Sequence, residues 1–156
     1  MATKTLLLTT ILAYSVIVSQ SFMYILALKN VQLSLGANSY TELRKLIDAS
    51  MRGGFKYVIY VALLSNLLLV IVTAKVPSSL LFISATIAFV ALIADTMITV
   101  KGNLPINDII NTWTPETIPA NWADYRTKWL AIFQSRQIVN IIGFVTLVTG
   151  IVFRSK

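Results

Sequence analysis

Charge is almost absent from four long stretches of this chain, and that constrains the fold more than any other feature. Residues 5–28 (TLLLTTILAYSVIVSQSFMYILAL) and 57–74 carry none, residues 77–100 only Asp95, and residues 129–153 only Arg136. A helix needs about 20 apolar residues to cross a bilayer core. In lipid, a single apolar segment satisfies its own backbone groups only as a helix. The first run is too long for the apolar region of a signal peptide, so it is read as a span like the rest. The prediction is an all-α, multi-pass integral membrane protein, one domain over 1–156. Its spans, at about 5–28, 57–74, 77–100 and 129–153, form an antiparallel four-helix transmembrane bundle.

Composition narrows the chemistry. Charged residues make up 12% of the 156, about half the 25% usual in soluble domains, and mean hydropathy is +0.77. The chain has no Cys and no His. Thiolate nucleophiles, disulfides, Cys-based zinc or iron–sulfur sites and His-ligated metal or haem are therefore excluded. The net charge of +7 comes from cations flanking the spans and forms no long basic cluster. It points to a lipid bilayer as partner and away from nucleic acid.

Two of the three loops are structured. In the first, Ser39 and Glu42 have capping-box spacing. Leu43, Leu46, Ile47 and Met51 then share one face, Arg44, Lys45, Asp48 and Arg52 lie around the others, and Gly53-Gly54 ends the helix. This reads as an amphipathic helix lying on the membrane or the bundle end. In the third loop, Asn103-Leu104-Pro105 resembles the start of a second amphipathic helix, with Ile106, Ile109, Ile110 and Trp113 as its stripe. Pro115 and Pro119 break it. Asn121 with Asp124 then caps a helix that runs through Trp122, Arg126 and Trp129 into the last span. Residues 75–79 make a tight turn.

Lys and Arg number eight on the side of loops one and three (Lys29, Arg44, Lys45, Arg52, Lys56, Lys101, Arg126, Lys128). They number four on the side of the termini (Lys4, Lys75, Arg154, Lys156). The positive-inside rule places loops one and three in the cytoplasm, with a bacterial inner membrane as the expected location.

Asp95 lies six residues before Lys101 and Arg136 seven after Trp129, roughly 9 and 10 Å below the same boundary. Charges in spans face inward and pair, so an Asp95–Arg136 ion pair is expected between the third and fourth helices. Thr99 and Asn140 lie one turn from these residues, and Gln20 is placed roughly 13 Å in from Lys29. Trp122, Trp129, Arg136, Gly143 and Gly150 repeat every seven residues along the last helix. With Asn103, Asn107 and Arg126 from the third loop, they outline a polar-floored, aromatic-rimmed pocket opening on the loop side. In it Asp95 and Arg136 are the candidate catalytic groups. Gln20, Thr99, Asn103, Asn107, Trp122, Arg126, Trp129 and Asn140 are the candidate substrate contacts. The competing reading is structural: an Asp–Arg pair also fixes helix register, Trp also anchors at interfaces, the better reading for Trp113, and Gln20 and Asn66 also serve as interhelical hydrogen-bond partners.

The stretch KGNLPINDIINTW, followed by Trp122, Arg126, Trp129 and Arg136 in W-x3-R-x2-W-x6-R spacing, resembles the anthrone-oxygenase-like family of small four-span membrane proteins, largely a domain of unknown function. Its N-x-P-x-N element matches Asn103, Pro105 and Asn107. The resemblance implies oxidation of an activated polycyclic phenol by O₂ with no metal or organic cofactor. One position departs: many relatives carry a polar residue, often His or Asn, four residues after the Trp matching Trp129, where this chain has Phe133.

Two functions follow as expectations. The first is binding or oxidation of a hydrophobic, aromatic small molecule, with Arg136 holding an oxyanion. The second is a non-catalytic subunit of a larger membrane complex or homo-oligomer, with Gly143 and Gly150 on its contact surface. Transport is disfavoured because no inverted repeat or broken helix is visible.

Overall fold

The computed structural model describes residues 2–154; Lys156, counted above among the flanking cations, lies outside them. Four long helices account for nearly all of it: α1 (Thr3–Ser34), α2 (Ala37–Thr73), α3 (Leu80–Asn111) and α4 (Trp122–Val152). Each is long and apolar enough to cross a membrane, and among the described residues there is no strand. Each helix packs on the next, α4 closes back onto α1, and the α3–α4 seam is the longest. The most apolar window of each helix is only 22–33% buried. The remaining Leu, Ile and Val side chains form the outward face that a bilayer would cover.

At 31–37 residues every helix exceeds the about 20 that a bilayer core requires. The surplus lies almost wholly at the loop-side end, because the other ends coincide with the ends of the apolar runs. The predicted loop helices exist, but they are continuous with the spans. In α2 the segment Ala37–Ser50 passes through a wide, π-type turn at Met51–Phe55 directly into Lys56–Thr73. Gly53-Gly54 therefore does not end a helix. Neither glycine adopts positive φ, and the turn before them is tied down, since Arg52 binds both Asp48 and Asp108 (2.8 and 2.6 Å). The capping box is also corrected. The helix starts earlier, with Gly36 at the N-cap, no side-chain cap and the first turn closed by Tyr40 N–H to Gly36 O (2.9 Å).

Asn103-Leu104-Pro105 likewise begins no new helix. A second wide turn, Thr99–Asn103, joins Leu80–Ile98 to Leu104–Asn111. Pro105 has no N–H to donate to the preceding turn. The wide turn, in which Leu104 N–H reaches Thr99 O, sets that irregularity into a continuous helix. A third wide turn, Tyr24–Leu28, lies in α1. Such turns are rare and concentrate at functional positions, and all three lie toward the loop-side end. The reading of α4 holds: one helix runs from Trp122 through the span, with Asn121 at its N-cap but without a side-chain cap bond. Between α2 and α3, Ser79 Oγ caps the new helix by accepting Phe82 N–H (3.2 Å).

The Trp–Arg–Gly stripe of α4 faces inward as its spacing predicts. A Cβ on Gly143 would lie 2.0 Å from the Tyr14 hydroxyl and 2.6 Å from the Ala91 Cβ; one on Gly150 would lie 2.3 Å from the Ser84 Cβ. These glycines let α1 and α3 approach α4, so they serve the inside of the bundle and offer no outer contact surface.

Candidate functional site

Asp95 and Arg136 meet as expected. Arg136 Nε donates to Asp95 Oδ1 at 2.7 Å, and both side chains are buried. A second guanidinium nitrogen donates to Asn103 Oδ1 (3.3 Å), whose amide donates to the Trp129 carbonyl (3.1 Å). Asn103 thus ties the wide turn of α3 to α4 and orients Arg136.

Above this pair lies a polar network that sequence reasoning missed. The buried face of α2 in this region is Tyr40, Thr41, Arg44 and Asp48, while Leu46, assigned to the membrane-facing stripe, is 61% exposed. Leu46 keeps the outer face that a membrane-lying stripe would take, but Arg44 and Asp48, expected around the other faces, are turned into the bundle. The i, i+4 row Tyr40–Arg44–Asp48 was the available signal, but by itself it looks like a solvated face. Its partners come from other helices. Asp48 accepts from Asn107 (2.7 Å), Asn111 (2.8 Å) and Arg52. Arg44 donates to the Tyr24 hydroxyl and to Asn107 Oδ1 (3.2 Å each). Trp129 Nε1 also donates to Asn107 Oδ1 (2.8 Å), and Gln32 donates to Tyr24 (2.8 Å).

An aromatic layer joins the two levels. Trp129 and Phe133 stack at 5.1 Å and 11°, and Tyr24 packs against both. The Arg44 guanidinium lies 3.9 Å from the Trp129 ring centroid, and that of Arg136 lies 5.0 Å from Phe133. Two guanidinium groups from different helices therefore flank one stacked ring pair. Phe133 lies against Trp129, Tyr24 and Arg136 within it.

Of the ten candidates, Asp95, Asn103, Asn107, Trp129 and Arg136 converge on this assembly. Arg126 and Trp122 stand beside it. One Arg126 nitrogen donates to the carbonyl groups of Gln32, Leu33 and Leu35 (3.1–3.2 Å), closing the α1 C-terminus, and the guanidinium covers Trp122. The other three are not drawn in. Thr99 bonds within its own helix to Asp95 O (2.8 Å), Gln20 reaches the Met51 sulfur (3.4 Å), and Asn140 is buried with its Oδ1 unpartnered. Asn66, expected as an interhelical partner, has neither amide atom bonded. Trp113 is buried against Tyr125 rather than anchored at a surface, and its carbonyl accepts from Lys45.

Neither of two hollows on the surface of the described residues is lined by Asp95 or Arg136. One, of about 280 Å³, lies between α1 and α4 and is lined by Ile25, Lys29, Gln134, Gln137, Ile138 and Ile141. The other, of about 420 Å³, lies between α1 and α2 against Thr9, Leu12, Ala13, Val16, Tyr57, Val58 and Val61. Among the described residues no three acidic side chains gather as a metal site would require. No family model, curated protein or solved structure matches this chain. The likeness to anthrone-oxygenase-like proteins therefore rests on the sequence pattern.

Proposed function

We propose that this protein binds a hydrophobic, aromatic small molecule at the loop-side end of its bundle and polarises an oxygen of that molecule through Arg136. The observation that carries the reading is the Arg44–Trp129–Phe133–Arg136 stack. Buried ion pairs are often no more stabilising than apolar residues of the same volume, and charges kept within spans usually mark function. A ring layer between two guanidinium groups suits a flat ligand with an electron-rich oxygen. The hollow lined by Lys29, Gln134 and Gln137 is formed by chain neighbours of Phe133 and Arg136, which supports access from the outer face of the bundle. Cofactor-independent oxidation by O₂ is the finer form of the proposal, suggested by the family likeness. The expected setting is a bacterial inner membrane with loops one and three cytoplasmic.

Tryptophan fluorescence provides the test, since Trp129 lies in the stack. Anthrone titrated into the detergent-solubilised protein should quench emission saturably. Phe133→Leu should weaken that binding about tenfold, as expected for one lost ring contact. Oxygen uptake on adding anthrone separates turnover from binding. Linear, unsaturable quenching in the wild type would sink the reading.

The groove between α1 and α2 favours a second reading, a subunit of a larger membrane complex, because a partner helix would fit against Leu12, Val16 and Val61. Native mass spectrometry showing a stoichiometric protein partner and no saturable anthrone binding would put that reading first.

A further inference from the structure

Beside the stack, and sharing only Arg44 with it, lies a second group of buried polar side chains from three helices. Tyr40, Thr41 and Arg44 come from the first two turns of α2, Gln32 from the end of α1 and Arg126 from the start of α4. Tyr40, Thr41, Arg44 and Gln32 are each at least nine-tenths buried. Each of the five has a buried polar atom without a hydrogen-bond partner: the Tyr40 hydroxyl, Thr41 Oγ1, Arg44 Nε, Gln32 Oε1 and Arg126 Nε.

Chemistry and charge single this group out. Four of the five unpartnered atoms can donate, and two belong to permanently charged guanidinium groups. Among the described residues neither Arg44 nor Arg126 has a carboxylate within ion-pair distance; the three ion pairs use Arg52 and Arg136. A buried guanidinium held by neutral groups alone is costly, and an anion is the partner it lacks. Four of the five are linked in space, with Thr41 next to Tyr40 in the chain: Gln32 and Arg44 both donate to the Tyr24 hydroxyl, and Arg126 donates to the Gln32 carbonyl. The Arg126 guanidinium is 5.9 Å from the Tyr40 ring centroid, and Trp122 packs on that ring at 5.7 Å. Burial raises the Tyr40 hydroxyl to about 12, although Arg44 and Arg126 both act to lower it, so near neutral pH it keeps its proton and can donate.

We infer that Tyr40, Thr41, Arg44 and Arg126 form a binding site for a carboxylate- or phosphate-type oxyanion, separate from the Asp95–Arg136 pair. Guanidinium and hydroxyl donors supplied by two helices match the several acceptor oxygens of such a group. Gln32 orients Tyr24 with its amide nitrogen and leaves its oxygen for a proton-bearing form of the anion.

The test is calorimetric titration and thermal denaturation of the full chain in neutral detergent, at constant ionic strength. Three probes are used: inorganic phosphate, dodecyl phosphate and sodium chloride. Saturable binding and a raised melting temperature with inorganic phosphate identify a free oxyanion; the same result with dodecyl phosphate alone identifies a lipid headgroup. In either case Tyr40→Phe/Thr41→Val, which removes two hydroxyl donors without altering charge, should weaken binding about tenfold or more. Its melting temperature without ligand reports its folding, and Thr41→Val alone serves if the double variant does not fold. An equal response to chloride, no saturable binding of either phosphate, or unchanged affinity in the folded variants would overturn the site. None of these outcomes depends on anthrone binding, so this inference and the proposed function fail separately.

Discussion

Arg136 illustrates how one side chain carries several constraints at once. It pairs with Asp95, bonds Asn103 and lies against Phe133. Removing it leaves a buried carboxylate with no counter-charge, whereas removing both charges leaves an apolar contact. Arg136→Leu should therefore lower stability by roughly 3–5 kcal/mol, and the double change Asp95→Leu/Arg136→Leu by clearly less. Reversible unfolding in mixed micelles measures both. Equal losses would mean that the pair is not energetically coupled. The pair itself was legible because only two charges interrupt the spans and the helical rise places them at one depth. Asn107 was legible as a candidate but not in its role: one of its oxygens accepts from both Arg44 and Trp129, a convergence that no local spacing encodes.

At the scale of the element, α2 departs most from what its sequence suggests. A glycine pair at the end of an amphipathic segment reads as a stop, because each interior glycine costs a helix about 1 kcal/mol relative to alanine. Here the cost is borne because Arg52, next to the pair, bonds to Asp48 on one turn and Asp108 on another helix. Both glycines have open space where a Cβ would be, and neither has positive φ. Gly53→Ala/Gly54→Ala should thus raise stability by about 1–2 kcal/mol through the unfolded chain's lost freedom, read as a higher midpoint of thermal denaturation. A lower midpoint would show that the wide turn Met51–Phe55 needs its glycines.

For the whole molecule, the surplus helix at one end creates the cap in which the polar network is enclosed, and the sidedness of that cap is testable. The chain contains no Cys, so single cysteines report without background. Ser39 and Ser78 are both exposed, at opposite ends of the bundle. In intact cells a membrane-impermeant maleimide should label Ser78→Cys and leave Ser39→Cys unlabelled until the cells are opened. The reverse pattern would invert the assigned orientation and place the capped end outside.

What the sequence determined by itself is what depends on local composition and on a single period. Four apolar runs specify four spans, two isolated charges specify their own pairing, and a seven-residue repeat from Trp122 to Gly150 specifies the inner face of α4. Tertiary structure decided the questions whose answers lie on other helices. Arg44 and Asp48 turn inward because Tyr24, Asn107, Asn111 and Trp129 are there to receive them. Without those partners the same polar row would face water. A polar side chain is buried only where another segment satisfies it, and for Arg44 and Asn107 that segment is 63 residues away.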